Sequence, residues 1–135
     1  MNEKDLLALA EEASQKSYSP YSHFRVGAAL LCEDGTVVTA ANIENRSFGL
    51  TICAERSAVV KAHSQGKTTF KALAISCPDA ESPVSPCGAC RQVVSEFVPP
   101  DFPIYFCGKD RDQYVSTTME QLFPYDALHN LKENL

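Results

Sequence analysis

Thr51-Ile52-Cys53-Ala54-Glu55-Arg56-Ser57-Ala58 places a thiol two residues ahead of a carboxylate, and from Ala54 the spacing of apolar residues reads as a helix. That helix is predicted over 54–64, with Ala58, Val59 and Ala62 on its buried face and Gly66 just beyond its end. A second stretch answers it. Ser85-Pro86-Cys87-Gly88-Ala89-Cys90-Arg91-Gln92 holds a Cys-x-x-Cys pair that also opens a helical pattern, predicted over 88–97 and stopped by Pro99 and Pro100. Two cysteine-headed helices separated by an apolar strand, 73–77, fix the middle of the chain.

Working outward, 2–17 has Leu6, Leu7, Leu9, Ala10 and Ala13 on one face of a first helix, ended before Pro20. A strand is predicted over 24–32 and another over 37–41, joined through Asp34-Gly35 as an antiparallel hairpin. Residues 42–50 read as a polar, irregular lead-in to Cys53. Beyond the third helix come strands over 104–107 and 113–116. A short helix follows, capped by Thr118 with Glu120 and Gln121 as box partners, and then a loosely held polar tail from Asp126. Alternating strands and helices argue for an α/β fold, a mixed sheet between helical layers.

A chain of 135 residues suits one domain, 1–135, with a real core. Its 44% apolar and 21% charged residues are those of a globular chain. The net charge of −5 offers no cationic footprint for phosphates, which argues against a polynucleotide partner. No apolar run reaches the roughly eighteen residues of a membrane span. Met1-Asn2-Glu3-Lys4-Asp5 is wrong for a secretory signal, so the cytoplasm is the expected compartment. There, six cysteines point to thiols and metal binding more than to disulfides. Cys32, Cys77 and Cys107 lie within or at the end of apolar runs and read as core residues.

The other three have metal-ligand spacing. Cys87 and Cys90 put two sulfurs on one turn at a helix start, and Cys53 comes from the head of another helix, where the dipole favours thiolate. Three protein ligands leave the fourth zinc position open for water, as in a catalytic site. Three thiolates on a divalent ion carry a net charge of about −1, which makes bound water less acidic. Arg56 could offset that charge by donating to a thiolate, with Arg91 as a second candidate; a surface helix arginine is the plain alternative for Arg56. Glu55 reads either as a first-turn glutamate favoured by the dipole or as an acid–base group beside the metal; the three cysteines favour the second. A redox dithiol would leave Cys53-Ala54-Glu55 without a role. His23, His63 and His129 are isolated and offer no good fourth ligand.

Together, Tyr21-Ser22-His23-Phe24-Arg25-Val26-Gly27-Ala28-Ala29, Asn42-Ile43-Glu44-Asn45, Cys53-Ala54-Glu55-Arg56 and Pro86-Cys87-Gly88-Ala89-Cys90-Arg91-Gln92 resemble the small, homotetrameric, zinc-dependent cytidine deaminases. The resemblance runs over nearly the whole chain. It implies a three-layer sandwich with a five-stranded mixed sheet flanked by helices. It also implies hydrolysis of cytidine and 2′-deoxycytidine to uridine and 2′-deoxyuridine with release of ammonia, as in pyrimidine salvage. One Zn2+ per chain would be held by Cys53, Cys87 and Cys90, with Glu55 shuttling protons from zinc-bound hydroxide chemistry and Arg56 tuning charge. Asn42 and Glu44 would bind the ribose 3′-hydroxyl, Phe24 would flank the pyrimidine, and the backbone around Ala54 and 85–87 would meet the base edge. Sites shared between subunits would bring in Arg46, Phe48 and Phe123 from a neighbour. Many relatives carry Tyr where this chain has Phe48, so a hydroxyl near the 5′ end is missing here. The rival readings are a blasticidin S deaminase, whose members match less well around 42–45 and usually lack Arg after Cys-Ala-Glu, and a non-catalytic module in which zinc serves folding only.

Overall fold

Alternation along β1 (Gly27–Cys32) sorts its side chains between two cores. Ala28, Leu30 and Cys32 face one, and Ala29 faces the other. In the computed structural model, which describes residues 1–132, β1 is joined by β2 (Val37–Ala41), β3 (Phe70–Ser76), β4 (Pro103–Cys107) and β5 (Tyr114–Thr118). They form one sheet in the order β2-β1-β3-β4-β5, parallel between β3 and β4 and antiparallel elsewhere. Helix α1 (Glu3–Ser14) sets Leu6, Leu7 and Ala10 against Ala29, Ala72, Ala74 and Cys107 on one face. On the other face, α2 (Ala54–Ser64) and α3 (Gly88–Ser95) pack Ala54, Ala58, Val59, Ala62 and Val94 against Leu30, Leu73, Ile75 and Ile104. A short helix, α4 (Met119–Leu122), closes the far edge. The expected three-layer arrangement with five mixed strands is therefore present, and Cys32, Cys77 and Cys107 are buried as expected.

The first layer depends on one glycine. A Cβ on Gly27 would overlap the Ala10 carbonyl oxygen and lie 2.5 Å from Ser14 N, so only hydrogen there lets α1 lie on β1.

Element boundaries depart from the sequence reading where polar groups find other partners. The strand predicted from Phe24 starts at Gly27, because side chains take up the N–H groups of 24–26 and the Phe24 carbonyl. Phe24 N donates to Ser22 Oγ (3.0 Å), Arg25 N to Asp79 Oδ2 (2.8 Å) and Val26 N to Asn42 Oδ1 (3.0 Å), while Phe24 O accepts from Asn42 Nδ2 (2.9 Å). β3 begins three residues before Leu73, because Phe70 pairs with Cys32 across an irregularity in β1. β5 runs to Thr118 rather than Ser116, where Thr118 pairs with Pro103. Helices α1 and α3 stop at Ser14 and Ser95, short of Ser17 and Phe97. The next N–H groups bond three residues back, as in Ser17 N to Ser14 O (3.1 Å) and Phe97 N to Val94 O (3.0 Å). Thr118 does cap α4, accepting from Gln121 N (3.2 Å), but the Gln121 side chain pairs with Thr117 Oγ1 (2.9 Å) instead of completing a box. The polar tail is exposed from Ala127 through Lys132. It turns at Asp126 and Leu128, and Lys132 Nζ donates to Glu96 O (2.9 Å). Residues 133–135 of that predicted tail lie outside the described residues.

Candidate active site

Strand register decides where the chemistry gathers. Gly27 pairs with Ala41 on one side and with Ser76 on the other. The stretches just before Gly27, just after Ala41 and just after Ser76 therefore emerge together at one end of the sheet. Phe24–Val26, Asn42–Glu44 and the loop from Cys77 to Pro86 meet there, and the N-termini of α2 and α3 are aimed at the same place.

Cys53 and Cys87 are the N-cap residues of α2 and α3, both with extended backbone. Cys87 Sγ accepts from Cys90 N (3.5 Å), which holds the Cys-x-x-Cys turn closed on its own sulfur. Cys53 Sγ and Cys87 Sγ are 3.8 Å apart, and all three sulfurs lie within 4.8 Å of one another. Zn–S bonds of about 2.3 Å in a tetrahedron put sulfurs about 3.8 Å apart. The donor set thus fits zinc in type and spacing. No histidine or carboxylate joins the three cysteines among the described residues, so the fourth direction is left for a small molecule.

The electrostatics around the sulfurs are uneven. Hydrogen bonding from Cys90 and the nearby Arg56 pull the Cys53 thiol down to about 5, against its partial burial. Cys90 is pushed strongly upward by Cys53, by burial and by Glu55. Arg56 is turned inward: its Nη2 lies 3.6 Å from Cys53 Sγ and 3.3 Å from Thr51 O. Arg91 faces elsewhere. It donates to Pro86 O (2.8 Å), Ser85 Oγ (2.9 Å) and Leu122 O (2.8 Å), so this second candidate for offsetting sulfur charge is a clamp on the loop instead.

Glu55 is 3% exposed, an uncommon place for a carboxylate. Burial lifts its carboxyl to about 7; the Cys53 charge adds to that, and Cys90 and Arg56 oppose it. Proton uptake and release near neutrality is what an acid–base group requires. Ala54, fully buried, heads α2, and its N–H has no acceptor within the helix.

Glu55 and Cys53 line a cavity of about 440 Å³, with Phe24, Asn42, Glu44 and the 84–87 stretch around it. That volume is within the usual range for small-molecule sites. Asn42 and Glu44, which sequence pattern alone leaves as loop polar residues, are fixed by their surroundings. Asn42 is 7% exposed; its Oδ1 accepts from Val26 N and from Ser17 Oγ (2.5 Å), and one Nδ2 proton goes to Phe24 O. One N–H of Asn42 remains to be given. Glu44 accepts from Tyr21 N (3.0 Å), Ser22 N (3.2 Å) and Ser22 Oγ (2.5 Å), and the Ser22 hydroxyl is the main cause of its lowered pKa. Val26, Ile75, Cys77 and Val84 also line the cavity and had no signal in the sequence beyond apolarity.

Three residues expected at the site are not brought to it within one chain. Phe48 is 74% exposed on a short 3-10 turn beside Tyr21, Arg46 is exposed nearby, and Phe123 lies against α4 in a separate hollow with Tyr125 and His129.

Two cysteine-capped helices over a mixed sheet, with a buried acid beside the sulfurs, define the class of zinc-binding deaminases. A family model described as the cytidine and deoxycytidylate deaminase zinc-binding region matches residues 1–106. The cytidine deaminase of Sporosarcina psychrophila is 48% identical over 124 residues, covering 92% of this chain and 90% of its own. The crystal structure of cytidine deaminase from Burkholderia pseudomallei superposes with a TM-score of 0.87 at 38% identity, covering 92% of this chain and 98% of that one. Blasticidin-S deaminase of Bacillus cereus is 31% identical over 133 residues, covering 93% of this chain and 92% of its own. The chain belongs to the cytidine deaminase family of zinc-dependent hydrolases.

Proposed function

We propose that this chain, as a single catalytic domain, hydrolyses cytidine and 2′-deoxycytidine to uridine and 2′-deoxyuridine, releasing ammonia. The observation that carries the reading is the buried Glu55 carboxyl on the wall of the cavity that Cys53 and Cys87 also line. Cys53, Cys87 and Cys90 hold zinc, which supplies Lewis acidity at their open side. Glu55 takes a proton from the attacking water and passes it to the ring nitrogen. It then takes the remaining water-derived proton from the new C4 hydroxyl and delivers it to the departing amine as the C–N bond breaks, so water and cytidine balance uridine and ammonia. Burial beside the cluster, which favours the protonated carboxyl, suits a group that must both take up and release protons. Arg56 draws negative charge from Cys53 through its hydrogen bond.

Asn42 and Glu44 suit one hydroxyl between them. The spare Asn42 N–H donates to the ribose 3′-oxygen, and Glu44, with lone pairs left on Oε2, accepts its proton. Phe24 flanks the pyrimidine, with Ala54 and the 85–87 backbone at the base edge.

We infer a homotetramer in which Arg46, Phe48 and Phe123 reach a neighbour's site. Support comes from Tyr18, Ile43 and Ile52, which lie side by side through isolated bridges and are 54%, 52% and 42% exposed, next to Phe48 and Leu50. Six unpaired thiols suit a reducing cytoplasm; no helix among the described residues is long and apolar enough to cross a membrane.

Side-by-side assay of cytidine, deoxycytidine and blasticidin S tests the substrate. Loss of cytosine-band absorbance with the two nucleosides is expected. Turnover of blasticidin S alone would reassign the enzyme, and inertness toward all three would favour a structural role for the zinc site.

A further inference from the structure

We propose that Arg25 and Asp79 form a positioning pair that sets the width of the substrate cavity, tying the wall that carries Phe24 to the loop that carries Ser85 and Pro86. This rests on the functional reading above. Arg25 stands between Phe24 and Val26, and both of these line the cavity. Asp79 stands two residues after Cys77, at the head of the loop whose far end, 84–87, also lines the cavity. Three bonds join them. Arg25 N donates to Asp79 Oδ2 (2.8 Å), Nε to the same oxygen (3.0 Å) and Nη2 to Oδ1 (2.7 Å). The fork is bidentate, which fixes direction as well as distance.

Neither wall has an equivalent substitute for this tie. The 24–26 stretch has one backbone bond, Asn42 N to Val26 O (3.1 Å), and is otherwise held by side chains, with Asp79 the acceptor for its middle N–H. The loop is anchored on its other side by Lys109 N, which donates to Ala80 O (2.8 Å). It is also anchored by Gly108, where an added Cβ would sit 2.6 Å from Ser82 O. The loop's far end is clamped by Arg91, which donates to Pro86 O and Ser85 Oγ, but among these anchors Asp79 alone bonds to the stretch that carries Phe24. Side-chain exposures of 39% for Arg25 and 27% for Asp79 make the pair a minor contributor to global stability. Its effect therefore falls on binding geometry, with folding largely spared.

The test uses zinc-loaded Arg25→Gln, Asp79→Asn, the double variant and Arg25→Lys, with cytidine kinetics, zinc content and thermal unfolding measured together. Each neutralising substitution is expected to raise KM on the order of tenfold while kcat stays within about twofold. Zinc content should match wild type, and the double variant should be no worse than the poorer single one, as a shared contact requires. Arg25→Lys, which keeps charge and loses the fork, should fall between. Unchanged KM in both single variants, multiplied effects in the double, a fall confined to kcat, or loss of zinc would each overturn the proposal. A wild-type protein inert toward cytidine would take down the functional reading and the pair with it; an active wild type with indifferent variants would take down the pair alone.

Discussion

Asn42→Ala probes the scaffold on which the substrate wall is built. The side chain is 7% exposed and satisfies Val26 N and Phe24 O, two backbone groups with no ladder partner. Truncation leaves both unmet, and each costs about 1–3 kcal/mol. The cavity beside Phe24 admits water, which favours the lower end, so roughly 2–4 kcal/mol is expected in total. For a chain of this size that lowers Tm by about 10 °C, large against error and small enough to leave a folded protein. Thermal unfolding of the zinc-loaded protein, followed by circular dichroism, reads it directly. In the same samples kcat/KM for cytidine should fall by more than about tenfold, because the Phe24 wall and the spare N–H are lost together. Asn42→Asp sharpens the test. It keeps the shape but sets an oxygen against Phe24 O, and only the protonated acid can donate there. A buried acid whose folded pKa is raised is least unfavourable at low pH, so the Asp variant's deficit should narrow as the medium is acidified. An Asn42→Ala protein within about 2 °C of wild type would refute the scaffold argument.

Gly27→Ala should cost at least about 2 kcal/mol in denaturant unfolding, because its Cβ meets the Ala10 backbone and α1 must move off the sheet. Arg56→Gln should lower zinc affinity or rate while leaving the unfolding transition cooperative, since the arginine's Sγ and Thr51 O contacts bear on the cluster and not the core. In metal-free protein Glu55 has a folded-state pKa of about 7, above its ordinary 4.5. The unfolded chain then binds fewer protons than the folded one between those values, and stability falls with rising pH across that window. Cys53, shifted the other way to about 5, makes stability rise from there toward 9, so the Glu55 part is the difference between wild type and Glu55→Gln, expected at roughly 3 kcal/mol.

What could be read from sequence was local. Cys53 and Cys87 announced themselves because capping residues, helix periodicity and metal-ligand spacing all act within a few positions. The hairpin at Asp34-Gly35 was legible for the same reason, Gly35 taking a φ of 90° that suits only its residue type. Resemblance to a known family supplied Asn42 and Glu44, whose partners Val26, Ser17 and Ser22 lie at separations no local pattern encodes. Arg25 and Asp79 were invisible as a pair: they stand 54 positions apart, and each alone looks like an ordinary surface charge. The early end assigned to the Phe24 strand failed because extended, apolar sequence cannot say whether its amides meet a neighbouring strand or the side chains of Asn42 and Asp79. Phe48 and Phe123 show a different limit, since within one chain neither reaches the cavity lined by Glu55.

The central claim is that three cysteines hold the metal while Glu55 moves the protons. Glu55→Gln separates the two roles, because the amide keeps the shape of a buried side chain 3% exposed and loses only the titrating group. Zinc content and cytidine turnover measured on the same preparation should show about one zinc per chain, as in wild type, with nearly all activity gone. A Glu55→Gln protein that turns over cytidine at the wild-type rate, or one that has lost its zinc, would contradict the account.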